Sequence, residues 1–423
     1  MKKVVFSALL AVALFGGSFE QVLQGVDSSK LLKAKGFEVK AKEKLYEAAR
    51  GENLPSLDAK LEAVRLKETP TLYLHIPNLP VMGVPAGTKE RYTGEVGISY
   101  PLFSGFAITN FIQKSRLEAL KAKLEKKDLK RKLYLQAASL YGALYSLSHT
   151  IEALQKAKNA LEASYKKAKG FYDQGLIPLS DLANIDAKRY ETEAKLQETK
   201  AKMAQVKEYL RYLAGFAPKE ASLPAIVLPQ RLDVKKREDI LALQQAIAAA
   251  QKEVAIAKSS FYPKVGVKAA FRRFGDNLQL DGDGFKNADE SYIAGVVEYN
   301  LFHGGSDEAK VEAARAKVLA QKAFLSDYIH KAQTELLANL QILKAKKAKL
   351  EAAKKGVEAA KSYYELTLGR YKNQLVSADE LSRSIASLAE ARARLAAARA
   401  ETFEQQCKVL LLSSLKNFQK VFR

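Results

Sequence analysis

The chain has 423 residues, a single cysteine, no tryptophan and a formal net charge of +22 at pH 7. One cysteine excludes a disulfide framework or a cysteine-based zinc site within one chain. Only 11 prolines and many Ala, Leu, Lys and Glu residues favour long helices. The basic residues alternate with Glu and Ala along stretches such as 121–132, which is typical of a solvated helix face. We therefore expect no nucleic-acid partner.

Residues 1–17 have the pattern of a secretory signal peptide. Two lysines precede the apolar run 4–15, and the small residues Gly16, Gly17 and Ser18 follow it. That run is too short to span a bilayer, and no later run reaches about 18 apolar residues. Insertion of the mature chain into lipid must therefore use strands. Because no cysteine lies near the cleavage region, we expect no N-terminal lipid anchor.

The first structural repeat, residues 18–217, is predicted to begin with a short helical lead-in and a β-hairpin at about 56–102. Its first strand alternates charged residues with the apolar residues Leu57, Ala59, Leu61 and Ala63. An alternation of period two indicates a strand with one apolar and one polar face, and residues 92–102 repeat it. The stretch 69–87 between them contains four prolines and predicts an exposed loop.

A long helix at about 105–173 and a return helix at about 178–215 complete this repeat. Apolar residues along the long helix recur by threes, fours and sevens, which is the seam of a coiled coil. Such a helix would be roughly 100 Å long at about 1.5 Å per residue. Pro178 suits the first turn of the return helix. The two helices are therefore predicted to form a hairpin whose tip lies in the break at 174–179.

The second half of the chain repeats the first at a constant offset of 199 residues, as from Tyr100 to Tyr299. This second structural repeat, residues 234–415, follows a linker at 218–233. It comprises a lead-in helix, a β-hairpin at about 264–302, a long helix at about 306–372 and a return helix at about 377–415, before a C-terminal tail at 416–423. Because nothing is inserted or deleted between the matching landmarks, we expect the long helices to pack along their length.

The two faces of the predicted strands indicate a membrane-facing sheet. In both hairpins apolar residues point one way and charged residues the other, and tyrosines lie near the strand ends, which is typical of a membrane barrel. Four strands cannot close a barrel around a channel. We therefore expect several chains to share one barrel, and a fold that is mainly α with a β-barrel part.

Three motifs and their duplication carry a resemblance to a known family. Residues 101–105 and 300–305 look like its strand-to-helix junction, 175–182 like its helical hairpin tip, and 237–243 like the helix that leads into its second hairpin. By their order and spacing the chain resembles the TolC-type outer-membrane efflux proteins over nearly its whole mature length. The resemblance implies a homotrimer that places a twelve-stranded barrel in outer-membrane lipid, with coiled-coil hairpins forming an α-barrel in the periplasm.

The resemblance also implies a function without chemistry in the protein itself. Such ducts serve a tripartite efflux pump or a type I secretion system, together with a periplasmic adaptor (membrane fusion) protein and an inner-membrane pump. Small molecules or polypeptides leave the cell through them. We expect no enzymatic activity, cofactor or metal site, because the 4 histidines are scattered without ligand spacing.

A periplasmic gate at the hairpin tips is the first site that the resemblance implies. Asp181, Ser180 and Tyr371 match the family's closing contacts, and Tyr172 is the offset counterpart of Tyr371. A tyrosine hydroxyl bonded to a carboxylate of a neighbouring hairpin would contribute about 1.5 to 3 kcal/mol. In the alternative interpretation, Asp181 only favours the N-terminus of its helix and Tyr371 only fills a helix seam.

Residues around this gate depart from the family pattern. Val376 stands where the family has an arginine, so the network is thinner or uses Arg370 or Lys372. The resemblance also places acidic side chains inside the tip entrance, where Asp379 and Glu380 would favour cations. Arg383, one turn beyond Glu380, argues against cation selectivity, and Glu380 alternatively completes a capping box with Ser377.

An apolar surface at the tips is the candidate docking site for the adaptor. Gly175, Leu176 and Ile177 form it in the first tip, and Leu375 and Val376 match it in part in the second. An ordinary turn between two helices is the alternative interpretation. A water-exposed turn does not need a Leu-Ile pair, which favours docking.

A different class of protein would share the predicted helices. A secreted periplasmic coiled-coil structural or adaptor protein could bridge the envelope without conducting anything. The amphipathic hairpin before each long helix, at the same offset in both repeats, argues against this alternative.

Overall fold

A computed structural model of the protein describes residues 18–282 and 289–422. The predicted signal peptide at 1–17 lies outside the described residues. None of the described helices has both the length and the apolar character that a membrane span requires.

The described chain is mainly helical, with a small antiparallel sheet. The helices are α1 (Phe19–Asp27), α2 (Lys30–Gly51), α3 (Ala107–Asp173), α4 (Leu179–Ala214), α5 (Glu238–Ala257), α6 (Ser306–Lys372), α7 (Ala378–Ser413) and α8 (Leu415–Val421). The strands are β1 (Ser56–Arg65), β2 (Thr71–Leu74), β3 (Met82–Pro85), β4 (Glu90–Ser104), β5 (Lys264–Gly275) and β6 (Asp289–Glu298). Both long helices, α3 and α6, have 67 residues, and both return helices, α4 and α7, have 36.

The chain divides into two compact units. The first contains the described residues up to Glu38, together with Lys123–Ala242 and the described part of Leu325–Arg423. The second contains Val39–Ala122 and the described part of Leu243–Phe324.

An aromatic cluster around Phe19 of α1 forms the main core of the first unit. Phe19 is 2% exposed, and its ring lies 5.1 Å from the rings of Tyr141 and Phe403 and 5.2 Å from that of Phe422. Ser18 and Gln21 cap α1 reciprocally, each side chain accepting the other's backbone N–H. The cap fixes where α1 begins, and burial of Phe19 fixes how α1 packs.

Part of this core comes from a segment that the sequence predicts to be a tail. Instead of continuing to about 415, α7 ends at Ser413, because Ser414 is extended and its hydroxyl caps a new helix, α8, by accepting the N–H of Asn417. Phe418 of α8 is fully buried. The spacing of Leu415, Phe418 and Phe422 is helical, so the signal for α8 was present in the sequence.

A network of buried charges also lies in the first unit. Arg131 of α3 binds Asp128 through Nε at 2.9 Å and lies 3.6 Å from Asp239, at the start of α5. Asp239 accepts hydrogen bonds from Arg237 and from the hydroxyl of Tyr328, both at 2.8 Å. Burial alone would raise the pKa of the Asp239 carboxyl, but these cationic and hydroxyl donors outweigh it and hold that pKa below its usual value.

The sheet of the second unit has four antiparallel strands in the order β1-β4-β5-β6. Its register pairs Leu57 with Ile98, Ile98 with Ala269 and Ala269 with Ile293, so one face of the sheet is apolar. These apolar side chains are not packed within the chain, since Leu57 is 70% exposed and Ile293 is 82% exposed.

Two details of the second unit differ from the sequence-based expectation. The stretch 69–87, predicted to be a loop, contains the short hairpin β2–β3, whose prolines lie at its ends and in its turn. β6 ends at Glu298, whereas the sequence predicts pairing to about 302. Glu298 pairs with Lys264, the first residue of β5, and Pro263 before it has no N–H to continue the ladder.

Candidate gate at the hairpin tips

The first hairpin tip joins α3 to α4 through a helix C-cap of the Schellman type. Gly175 has a positive φ of 73°, its N–H donates to the carbonyl of Tyr172 at 2.8 Å, and the N–H of Leu176 donates to that of Phe171 at 2.8 Å. Glycine adopts this left-handed conformation without steric cost. Pro178 then precedes the first turn of α4.

The second tip, between α6 and α7, reaches the same geometry with a different residue. Gln374 has a φ of +60°, its N–H donates to Tyr371 at 3.1 Å, and the N–H of Leu375 donates to Arg370 at 3.0 Å. A side chain in the left-handed region costs roughly 1 to 2 kcal/mol. Ser377 then caps α7 by accepting the N–H of Glu380 at 3.2 Å.

Buried residues from four helices meet in a small core beside these tips. They are Ala157, Leu161 and Ala168 from α3, Leu182 and Ile185 from α4, Tyr371 from α6, and Ala378, Leu381, Ile385 and Ala389 from α7. The two hairpins of one chain are therefore packed against each other at this end.

Tyr371 is the polar member of this core. It is 5% exposed, and its hydroxyl has no hydrogen-bond partner among the described residues. Its ring lies 6.4 Å from that of Phe171, and the ammonium of Lys167 lies 5.2 Å from its centroid. Burial, and next the negative charge of Asp181, raise the pKa of the Tyr371 hydroxyl above its usual value, which keeps it a neutral donor.

The structure thus brings two of the four predicted gate residues into one neighbourhood. The half-buried Asp181 is near enough to act electrostatically on Tyr371, yet no hydrogen bond within the chain joins them. Ser180 is exposed, and Tyr172 is 38% exposed, so neither belongs to the tip core.

The residues predicted to charge the tip entrance form a local ion pair. Arg383 lies 2.7 Å from Asp379 one turn earlier on α7, which neutralises that carboxylate. Glu380 is half-buried and its backbone N–H is held by the Ser377 cap. Among the described residues, no group of three or more His, Cys, Asp or Glu side chains could hold a metal ion.

At each tip the first residue of the predicted apolar pair is an exposed leucine, and the second is a β-branched residue that is packed. Leu176 is 59% exposed and Leu375 is 72% exposed, whereas Ile177 and Val376 lie against the tip core. Gly175 is exposed beside Leu176.

Two contributors to the tips were not predicted from the sequence. Leu179, at the start of α4, is 60% exposed and enlarges the apolar surface of the first tip. Lys167 lies above the rings of Phe171 and Tyr371 at 5.3 and 5.2 Å. The four-residue spacing from Lys167 to Phe171 could have revealed the first contact, but the second joins two helices that are distant in sequence.

These features define the structural class of the protein. It is a mainly α chain with two long helical hairpins that have matching tips, and its antiparallel sheet leaves its apolar face unpacked. A family model described as outer membrane efflux protein matches residues 25–215 and 232–410. The chain belongs to the outer membrane efflux protein family. This confirms the resemblance proposed from the sequence.

Several solved structures share the fold. CusC, whose structures are described as concerning folding and transmembrane channel formation, has a TM-score of 0.79 at 14% identity, covering 94% of this chain and 92% of its own. The outer membrane protein VceC from Vibrio cholerae has a TM-score of 0.76 at 19% identity, covering 93% and 96%. The open state of the Neisseria gonorrhoeae MtrE outer membrane channel has a TM-score of 0.75 at 17% identity, covering 94% of this chain and 88% of its own.

These matches confirm the predicted fold class, mainly helical with a small strand region, over nearly the full length of the chain. The matched family is one of efflux proteins, and the descriptions of CusC and MtrE name a channel. No curated protein sequence matches the chain.

Proposed function

We propose that the protein is the outer-membrane exit duct of a tripartite efflux pump or a type I secretion system. In this role it passes small molecules or polypeptides from the periplasm or an inner-membrane pump to the exterior. Its partners are two further copies of the chain, a periplasmic adaptor protein, an inner-membrane pump and outer-membrane lipid. The predicted signal peptide would direct the chain across the inner membrane.

The observation that supports this function is the unpacked sheet. In the described chain, β1 and β6 each pair on one side only, and the apolar face carries Leu57, Leu61 and Ile293 at 64% to 82% exposure. Open edges and an exposed apolar face both favour association. Pairing β6 of one copy with β1 of the next removes the edges, and lipid covers the apolar face. Three copies would close a twelve-stranded barrel with an aqueous interior.

The buried Tyr371 hydroxyl supports a gate at the tips. A buried hydroxyl without a partner costs about 1 to 3 kcal/mol, so a resting state that satisfies it is favoured. Asp181 of a neighbouring tip would supply a charged acceptor, with Ser180 and Tyr172 at the margin of the contact. We propose that this bond keeps the tips together until the adaptor separates them.

The other tip residues have separate proposed roles. The exposed Leu176 and Leu375, with Gly175, Ile177 and Val376 beside them, form the apolar surface on which the adaptor docks. At the entrance, Asp379 is paired with Arg383, which leaves Glu380 as its unpaired acid. A single acid beside a neutral pair predicts weak cation preference at most.

Detergent extraction followed by sizing and single-channel recording tests the duct itself. We expect a trimer that inserts into planar bilayers and conducts. A water-soluble, non-conducting product would eliminate the duct and would favour the envelope-bridging structural protein.

Single substitutions test the gate separately. Tyr371→Phe removes only the hydroxyl, and loss of a bond worth about 1.5 to 3 kcal/mol should raise the open fraction of the isolated trimer at least about tenfold. Asp181→Asn should act in the same direction, and the double variant should add little, since both changes remove one interaction.

Tyr363→Phe is the matched control, because Tyr363 lies on the same helix two turns earlier and is 42% exposed. It should leave the currents unchanged. If Tyr371→Phe stabilises the protein without opening it, the hydroxyl has no partner in the trimer and the proposed latch is wrong.

A further inference from the structure

One row of the sheet carries a charged residue on every strand. In the backbone register Lys60 faces Glu95, Glu95 faces Arg272, and Arg272 faces Glu290. The signs alternate across the row, and opposite charges directly opposed on neighbouring strands attract one another. We refer to these four residues as the charged row.

Side-chain contacts join the members of the charged row. Arg272 donates from Nε to Glu95 at 2.6 Å, and its Nη1 lies 3.8 Å from Glu290. The Arg272 guanidinium also lies 5.1 Å from the ring centroid of Tyr292. Lys60 bonds Glu62 on its own strand as well as facing Glu95. The two acids and two bases of the row therefore cancel within one chain.

The charged row belongs to the polar face of the sheet. The adjacent row on the opposite face pairs Ala59 with Val96 and Val96 with Phe271, and both Val96 and Phe271 are about half exposed, at 51% and 49%. A basic side chain that faces lipid in the bilayer is strongly unfavourable. In a membrane-inserted assembly the charged row therefore faces the aqueous interior.

We propose that the charged row determines the ion preference of the membrane part of the duct, and that its acids, Glu95 and Glu290, keep the row neutral. The inference rests on the proposed function as a duct. Walls of low dielectric strengthen the field of charges that line an aqueous passage. Since each copy adds equal numbers of acids and bases, solutes of both signs pass the row. Removal of either acid makes the passage favour anions, and removal of Arg272 makes it favour cations.

Neighbouring residues on opposite faces of β6 allow a matched test. Glu290→Gln removes a carboxylate from the charged row, whereas Asp289→Asn removes one from the other face, where Asp289 pairs with Arg273 at 2.9 Å. The reversal potential of the full-length trimer is measured in a KCl gradient at about 0.1 M, where the Debye length is about 10 Å. We expect Glu290→Gln to lower the permeability ratio of potassium to chloride about twofold, and Asp289→Asn to leave it unchanged.

Two further variants make the test independent of any one substitution. Glu95→Gln should shift the ratio in the same direction as Glu290→Gln, and Arg272→Gln in the opposite direction. If Glu95→Gln does not assemble, the result for Glu290→Gln decides the test. The Glu290 side chain is 50% exposed at the end of the row, so its replacement should leave assembly intact. A conducting trimer with unshifted ratios, or an equal shift in Asp289→Asn, would overturn this inference alone. A native trimer that carries no current would overturn the proposed function together with it.

Discussion

Replacing Arg131 with methionine should destabilise the first unit far more than loss of an exposed ion pair does. Arg131 is 8% exposed and donates to Asp128 at 2.9 and 2.6 Å and to the carbonyl of Leu411 at 3.2 Å. Methionine leaves Asp128 buried with one close cation, the exposed Lys132 at 2.8 Å. Removing one partner of a buried pair costs about 3 to 5 kcal/mol, and we expect the lower end because Lys132 remains.

The matched control is Arg394→Met on α7. Arg394 lies 2.5 Å from Glu390, and both side chains are more than half exposed, so its loss should cost about 0.2 to 1 kcal/mol. The readout is the denaturation midpoint in one detergent, followed by far-UV circular dichroism. Adding Asp128→Leu to Arg131→Met should recover most of the loss, because no unpaired charge then remains buried at that position. Equal losses for Arg131→Met and Arg394→Met would refute the assignment of a buried charge network.

Two further predictions concern helix packing and acid stability. Gly25→Ala places a methyl group against the carbonyl of Ala214 and should lower the stability by about 1 to 3 kcal/mol. Gly170→Ala lies in open space on α3 and should raise the stability by up to about 1 kcal/mol. The denaturation midpoints of the two variants check both signs. The pKa of the Asp239 carboxyl is lower in the folded protein than in the unfolded chain. Its contribution to the free energy of unfolding is therefore fully present above the unfolded pKa, and it is lost as the pH falls through the folded pKa. Asp239→Asn should therefore flatten the fall in melting temperature between about pH 5 and pH 2, and an unchanged slope would contradict this.

The helical part of the fold was predictable because its pattern is local. The 3.5-residue period of leucines marks a helix without knowledge of its partner, and the offset from Tyr100 to Tyr299 carries that reasoning from one repeat to the other. The strand faces were predictable for the same reason. The two predicted hairpins also indicated that β1 pairs with β4 and β5 with β6, as the sheet order shows. The pairing of β4 with β5, between the hairpins, was not predictable, because alternation fixes the face of a residue but not its partner. The pairing of Glu95 with Arg272 joins residues far apart in sequence and is visible only in the structure.

The position of the hairpin tips was predictable from the sequence, but the packing of side chains there was not. The tips could be located because glycine, proline and serine stand at the breaks between helices. The burial of Tyr371 depends on Phe171 and Lys167 of another helix, and no sequence period connects them to it. The alternative interpretation, that Tyr371 fills a helix seam, accounts for the packing of its ring. It does not account for the buried hydroxyl, which has no partner in the described part of the chain.

The two tips differ in a way that bears on how the proposed gate opens. Gly175 adopts its left-handed conformation freely, whereas Gln374 carries roughly 1 to 2 kcal/mol of strain in the equivalent position. The Gln374 N–H is bonded to the carbonyl of Tyr371, the residue that holds the proposed latch. Unwinding the last turn of α6 would therefore release Tyr371 and relieve the strain at Gln374 together. Since the first tip stores no such strain, the second hairpin would require less work to open, and the proposed adaptor would act most effectively on it.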